Sequence, residues 1–461
     1  MDRGFFAGKR ILVMGLGRFG GGLDSVIFAA RLGREVIVTD LSSEADLAVP
    51  MKSLQGFFNI QYHLGGHRPE DFGCDGADII VVNPAVPPDN PFVRIAESAG
   101  RHITSQLEIF FELCPAIIIG ITGSNGKSTT TTLTSHLLEA GLGQPGIGYQ
   151  RVWLGGNIGN KPLLEILDQI GPADLVVLEL SSFQLEQLAR IRRAPQAAII
   201  TNLTPNHLDR HGTFDAYCRA KENIFIHQSL SGPQPALGVF NADDPVTQGW
   251  YEKYRGQTGR LCRTFGPGDV PADLAEVFVL AGPANRSNLA AALAVADYFG
   301  VTRDRIRKAV ASYRGLPHRL ERVVRRKSVG WYDDSKATTP ISSIAALEAF
   351  DCPEIIIAGG YDKHIPFDEF GKVIAAKAKA AILIGQTADK IAAAISAGRT
   401  PDSRLEVHRA DTLQEAVQLA DRLSRPGDVV LLSTACASYD MFRHYEHRAA
   451  VFRESIEALP A

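Results

Sequence analysis

The 461-residue chain is poor in the groups that build covalent or metallic cross-links. Its six cysteines, at 74, 114, 218, 262, 352 and 436, include no Cys-x-x-Cys pair. That scatter excludes a disulfide framework and a structural zinc site, and reduced thiols in a cytoplasmic protein are the simplest account. No apolar run approaches the length of a membrane span, and residues 1–10 contain no apolar core of signal-peptide length. Excess charge is lacking too. Lys and Arg total 48 against 51 Asp and Glu, whereas a protein that neutralises nucleic-acid phosphates would be basic. The basic stretch 322–327 is broken by Val323 and Val324, and reads as the solvated side of an edge strand. The expectation is a cytoplasmic protein that inserts in no membrane and binds no nucleic acid.

What is present is an ordinary globular composition, 45% hydrophobic and 21% charged, with short apolar strands alternating with helical stretches. The first block has strands at 11–14, 35–40 and 78–82, the last running into a Pro-rich segment at 83–91. In the second, 116–119 leads into a glycine loop and a helix at 128–140, followed by strands at 174–180, 197–203 and 237–241. The third carries strands at 354–358, 381–384 and 428–432. Continuous apolar strands separated by helices imply parallel sheets covered on both faces, so the fold class is α/β. Boundaries near 105–115 and near 317 divide the chain into three domains, 1–107, 108–317 and 318–461.

The strongest motif is Gly120-Ile121-Thr122-Gly123-Ser124-Asn125-Gly126-Lys127-Ser128. A strand, a glycine-rich turn, Lys-Ser and then a helix together cradle phosphates. Backbone N–H groups and the helix N-terminus hold the oxygens, Lys127 reaches the outer phosphates, and the Ser128 hydroxyl can ligate magnesium. The strict form of this loop has glycine at position 121, where this chain has Ile. The plainer reading is a glycine-rich connection beside a buried lysine.

A second glycine signal, Gly15-Leu16-Gly17-Arg18-Phe19-Gly20, follows a strand, and Asp40 closes the next one at the spacing of a ribose-binding acid. It fits a dinucleotide fingerprint, a site for another nucleotide's diphosphate, or a structural turn. Glu179 ends an otherwise apolar strand. A carboxylate there is costly to bury without a partner, either magnesium beside a phosphate loop or an arginine. The strand ending near Leu203 leads to His207, at the strand end where open α/β sheets bind ligands. The pairs His207/His211 and His63/His67 have helical zinc-like spacing but no further ligand pattern, and read as surface histidines. Lys221 on its own reads as a helix-surface lysine. Two other classes stay open: an NAD-dependent oxidoreductase built on residues 15–20 and Asp40, and a non-enzymatic ATP switch.

Taken together these residues resemble the Mur ligases, ATP-dependent amino-acid-adding enzymes of peptidoglycan synthesis, over essentially the whole chain. The phosphate loop matches theirs, including the departure at 121. So do the segments Leu178-Glu179-Leu180-Ser181-Ser182-Phe183-Gln184, Gly315-Leu316-Pro317-His318-Arg319-Leu320-Glu321, Asp334-Ser335-Lys336-Ala337-Thr338 and Ser433-Thr434-Ala435-Cys436-Ala437-Ser438-Tyr439. These resemble the D-glutamate-adding branch in particular. The resemblance implies Rossmann-like first and last domains, binding a UDP-linked substrate and an amino acid, around a central P-loop ATPase-like parallel sheet. It implies that Gly123, Ser124, Asn125, Gly126, Lys127, Ser128, Thr129, Asn288, Arg319 and Asp334 contact ATP. Ser128, Glu179, His207 and a carbamylated Lys221 would hold magnesium, two ions in all, with Lys127, Glu179, His207 and Lys221 as the catalytic set. Gly15, Leu16, Gly17, Arg18, Asp40 and Leu41 would face the uridine diphosphate, and Asn157, Ser181 and Gln184 the muramoyl-alanine end. Lys336, Thr338, Lys363, Ser438, Tyr439 and Tyr445 would surround D-glutamate. The implied partners are UDP-N-acetylmuramoyl-L-alanine and D-glutamate, bound by a monomer. Leu41-Ser42 departs from the Thr-Arg of some members, Ala284 from a histidine and Thr434 from a proline, and the cluster Gly20-Gly21-Gly22 is richer than usual.

Overall fold

The computed structural model describes residues 1–17, 20–87, 89–158 and 162–460. Runs of aliphatic residues form strands that are buried along their length. Such strands need cover on both faces, which helices supply in a parallel α/β layer. The first sheet contains β1 (Arg10–Met14), β2 (Glu35–Asp40), β3 (Ile60–Leu64), β4 (Ile79–Val82) and β5 (His102–Thr104). They are all parallel, in the order β3-β2-β1-β4-β5. The second contains β6 (Ile117–Thr122), β7 (Val152–Gly156), β8 (Leu175–Glu179), β9 (Ala197–Ile200), β10 (Ala236–Asn241) and β11 (Arg260–Phe265). These too are parallel, in the order β11-β10-β9-β6-β8-β7.

The third sheet is mixed. It contains β12 (Glu321–Arg326), β13 (Val329–Asp333), β14 (Glu354–Ala358), β15 (Ala378–Leu383), β16 (Glu406–Arg409) and β17 (Val429–Leu432), in the order β12-β13-β17-β14-β15-β16. β12 alone runs antiparallel, against β13. Its turn, Lys327-Ser328, has both residues at positive φ, 50° and 64°, as a tight two-residue hairpin requires. The basic stretch 322–327 does lie on this outer strand and its turn.

The chain divides into two compact units. One is Met1–Gly266 with Ala290–Ala309 and carries the first two sheets; the other is Pro267–Leu289 with Val310–Ala461 and carries the third. Five helices matter below: α1 (Gly21–Leu32), α2 (Lys127–Gly141), α3 (Ser182–Arg190), α4 (Phe214–Ile226) and α5 (Tyr445–Glu457). None of the described helices is long and apolar enough to cross a membrane, and all six cysteines are unpaired.

In the third sheet β14 begins with an ionisable residue in a buried setting. Glu354 is 1% exposed and its Oε2 has no hydrogen-bond partner among the described residues. Burial pushes its carboxyl up to about 8, opposed by the Lys377 charge. At low pH the group is protonated in both the folded and the unfolded chain and has no effect. As pH rises toward about 8, the unfolded chain ionises while the folded one keeps its proton, so native stability falls across that window. Glu354→Gln removes this penalty. The variant should gain on the native protein by a few kcal/mol, on the order of 1.4 kcal/mol for each pH unit of that window, and chiefly at the alkaline end. Urea midpoints measured at acid and at mildly alkaline pH check it; a difference that does not grow with pH would refute it.

Candidate active site

In both the second and third sheets the candidate residues gather at the carboxyl ends of adjacent parallel strands, where open α/β sheets bind ligands. In the second these are β9, β6 and β8. β6 continues through Ile121 and Thr122, both fully buried, so the turn begins one residue later than a strict phosphate loop would start it. Gly123 takes the bend at φ 148°, where a Cβ would meet Thr201 Oγ1 at 1.8 Å, so no larger residue fits. Gly126 then caps α2 in the left-handed region at φ 78°. The result is a glycine turn delivering backbone to a helix N-terminus, the physical basis of anion binding.

The loop is clasped from the segment after β9. Asn202 Oδ1 accepts from the Asn125 N–H at 2.9 Å, and Asn202 Nδ2 and Thr201 Oγ1 donate to the Asn125 carbonyl at 3.1 and 2.6 Å. Ser124 Oγ donates to the Thr204 carbonyl and accepts its N–H, both at 2.9 Å. These contacts end β9 at Ile200, short of the strand expected over 197–203, because residues 201–204 turn their polar groups onto the loop. Lys127 Nζ donates to the Ser124 carbonyl at 3.0 Å, while Ser128 and Thr129 lie in the first turn of α2.

Glu179 ends β8, paired with Ile121 on one side and Gly156 on the other. It is 3% exposed. One oxygen accepts from Asn157 Nδ2 at 3.2 Å, and the other has no hydrogen-bond partner among the described residues. A buried carboxylate oxygen without a donor fits a hard cation such as magnesium.

Lys221 corrects the surface reading of its helix position: it is 2% exposed. Nζ donates to Thr122 Oγ1 at 3.1 Å and lies 4.8 Å from the centre of the Tyr217 ring. Burial, reinforced by the Lys127 charge and opposed by Glu179, holds its pKa well below the ordinary lysine value. Its environment therefore favours the neutral amine more than a solvated lysine's does.

His207 sits at φ 53°, a strained conformation for a non-glycine residue. Desolvation of the ring, with the Lys127 charge, outweighs Asp209 and lowers its pKa, which favours the neutral imidazole. His211 is no surface histidine, since its side chain is only 2% exposed, bonds Ser182 Oγ at 2.9 Å and stacks on Phe183. Nor are His63 and His67, which engage Asp71 at 2.6 Å and Thr39 Oγ1 at 2.8 Å.

In the first sheet Asp40 organises the loop after β1. Its carboxylate accepts from the Gly17 N–H at 3.0 Å and the Ser42 N–H at 2.8 Å. Burial raises its pKa, but these backbone donors prevail and the net shift is downward. Gly15 stands at φ 93° against Asn83, Leu16 is buried, and Leu41 is 72% exposed. Arg18 lies outside the described residues. Ser181 and Gln184 form a capping box at the start of α3, which gives both residues a structural task.

The third sheet gathers its candidates beyond β13, β17 and β14, which are adjacent. Asp334 accepts from Ser433 Oγ at 2.7 Å and the Leu320 N–H at 3.1 Å. Burial pushes its carboxyl up to about 7 against those bonds and the Arg319 charge. Lys336 is exposed, with Nζ 5.5 Å from the centre of the Tyr445 ring. Thr338 is half-buried and Lys363 exposed, with Ser438 buried and Tyr439 exposed next to it. Asn288 is buried, its Nδ2 donating to Asn285 at 3.4 Å.

His318, Glu321 and Asp333 converge closely enough to ligate a metal. Arg453, however, bonds both carboxylates at 2.7 and 3.2 Å, so they form an ion-pair network.

Several residues of these sites went unread in the sequence. Thr122 receives the Lys221 bond and Thr201 and Asn202 hold the phosphate loop. In the third sheet Arg448 ties Ser335 to Cys436 from α5. Only Thr201 and Asn202 carried a local signal, their place just past an apolar strand.

A clasped glycine loop at a helix N-terminus, an open buried carboxylate on an adjacent strand and a buried amine on a neighbouring helix have the form of a phosphate-loop enzyme site. Two family models match the chain: the Mur ligase middle domain over residues 121–296, and the Mur ligase, glutamate ligase domain over residues 318–436. The UDP-N-acetylmuramoylalanine--D-glutamate ligase of Roseiflexus sp. (strain RS-1) is 40% identical, covering 98% of this chain and 99% of that one. Its namesake from Acetivibrio thermocellus is 38% identical, over 98% and 97% of the two chains. Among solved structures, MurF ligase from Thermotoga maritima in complex with ADP shares the fold at a TM-score of 0.56 and 19% identity, over 98% and 95% of the chains. A pseudomurein peptide ligase type C from Methanothermus fervidus does so at 0.55 and 17%, over 97% and 99%. The chain belongs to the Mur ligases, in the UDP-N-acetylmuramoylalanine–D-glutamate ligase family.

Proposed function

We propose that this chain joins D-glutamate to UDP-N-acetylmuramoyl-L-alanine at the expense of ATP, a step of peptidoglycan synthesis. The observation that carries the reading is the open Glu179 oxygen on the strand beside the phosphate loop, with the buried Lys221 amine.

The substrate carboxylate attacks the γ-phosphorus of ATP, and the bond to ADP breaks to leave an acyl phosphate. The D-glutamate amine then attacks that carbonyl, loses a proton and expels phosphate. Two anionic reactants must be aligned for the first step, so charge neutralisation and positioning dominate catalysis. Residues 123–129 hold the ATP phosphates, Lys127 meeting the outer ones, while Asn288, Arg319 and Asp334 contact the rest of the nucleotide. Ser128, Glu179, His207 and a carbamylated Lys221 would hold magnesium, two ions in all, which would supply the neutralising charge. The carbamate forms when the neutral Lys221 amine attacks carbon dioxide and releases a proton. Residues 15–18, Asp40 and Leu41 hold the uridine diphosphate, and Asn157, Ser181 and Gln184 the muramoyl-alanine end. Lys336, Thr338, Lys363, Ser438, Tyr439 and Tyr445 take D-glutamate. Domains over 1–107, 108–317 and 318–461 belong to the same reading.

Phosphate release with ATP, magnesium, UDP-N-acetylmuramoyl-L-alanine and a panel of amino acids tests it. Release stimulated by D-glutamate alone is expected. Stimulation by L-lysine or diaminopimelate, or release indifferent to the amino acid, would overturn it.

A further inference from the structure

Asp24, in the first turn of α1, is 2% exposed and is engaged away from its own helix. Its Oδ2 accepts from the N–H groups of Leu163 and Leu164 at 2.9 and 2.8 Å, and its Oδ1 from that of Glu165 at 3.0 Å. Gln106 Nε2 adds a fourth donor. A carboxylate taken out of water needs such donors, and charge-assisted bonds of this kind are the strong ones. Asp24 thus joins a helix of the first sheet to a segment of the second.

Each end of this link is packed tightly onto a part of the proposed substrate site. A Cβ on Gly22 would meet the carbonyl oxygens of Leu16 and Gly15 at 2.2 and 2.3 Å, so α1 cannot shift without moving the loop after β1. On the far side, Leu163 rests on Gly155 of β7, where a Cβ would lie 2.7 Å from its Cδ2. Two residues on, Asn157 bonds Glu179 through backbone and side chain. A second tie crosses the same two sheets, Arg210 donating to the carbonyls of Ala85 and Val86, both at 3.2 Å.

We propose that Asp24 is a positioning residue that fixes the distance between the loop at residues 15–17 and the Asn157–Glu179 pair, and so sets the span over which a nucleotide-linked substrate is held at both ends. The inference rests on the proposed function for which ligand occupies that span. A ligand that reaches both ends needs the fixed distance, whereas one that reaches a single end does not.

Isothermal titration with UDP-N-acetylmuramoyl-L-alanine, with UDP alone and with ATP tests this on the full chain. Asp24→Asn keeps the size of the side chain but turns an NH2 toward backbone donors. It should weaken the full substrate by about tenfold or more and leave UDP and ATP within about twofold. Gln106→Ala, which removes one donor and leaves the carboxylate, should give the same pattern at smaller amplitude, and it carries the test if Asp24→Asn does not fold. Equal weakening of UDP and full substrate would make Asp24 a support of the loop alone and overturn the proposal. Unchanged affinity for all three ligands in the folded variant would also overturn it. A native protein that binds none of the uridine ligands would instead refute the proposed function.

Discussion

Lys221→Ala is expected to lower kcat by roughly 10²–10³-fold, the scale of losing several kcal/mol of charge stabilisation at a metal-assisted transition state. The argument starts from burial. A lysine 2% exposed, with its pKa driven well below the ordinary value by desolvation and by Lys127, is poor as a fixed cation and good as a nucleophile toward carbon dioxide. The proposed carbamylation would convert it into an anion. Alanine leaves a cavity in place of the side chain, large enough for a small guest. Acetate or propionate should therefore restore part of the activity, and ethylamine should not. Rescue by the amine and not by the acid would show that the unmodified lysine is the working group. Full activity without any guest would remove Lys221 from the site. Lys221→Met, which fills the volume without charge, should be as inactive and should resist rescue, separating lost packing from lost charge.

That lysine also marks how far the sequence could be read. Strands such as β8 and β17 are legible because burial on both faces demands unbroken apolar runs, and Glu179 is legible because it interrupts one. The phosphate loop is legible because Gly123 leaves no room for a side chain beside Thr201 and Gly126 takes the left-handed region at φ 78°. Lys221 was hidden because helix periodicity counts a lysine as a polar-face residue. Its neighbours at four-residue spacing, Tyr217 and Phe225, are both buried, so it lies on the apolar stripe of α4, and that position was the available signal. Asp24 had none. An acid in the first turn of a helix reads as a dipole partner, and its donors at residues 163–165 are distant in sequence. His211 and the antiparallel β12 were obscured in the same way. Stacking on Phe183 and a positive-φ turn at Lys327-Ser328 are set by context that local pattern does not report.

Glu179→Gln should separate function from stability in opposite directions. The native carboxylate has one oxygen bonded to Asn157 and one with no donor among the described residues, so in the absence of a cation it holds an uncompensated polar atom in the interior. Such an atom costs about 1–3 kcal/mol. Glutamine retains the oxygen that meets Asn157 and replaces the open one with a neutral amide, so the metal-free variant should melt no lower than the metal-free native protein. Activity should nevertheless fall by roughly 10²–10³-fold, because a neutral amide is a weak magnesium ligand and cannot share in neutralising the transferred phosphoryl group. Magnesium binding to the folded state alone raises apparent stability by mass action. Added magnesium should therefore raise the melting temperature of the native protein and leave that of the variant nearly unchanged. If Glu179→Gln melts well below the native protein without metal, the carboxylate is a structural partner and the cation site lies elsewhere. If the variant still responds to magnesium as the native chain does, Glu179 is not a ligand, and the open oxygen at the end of β8 has another cause.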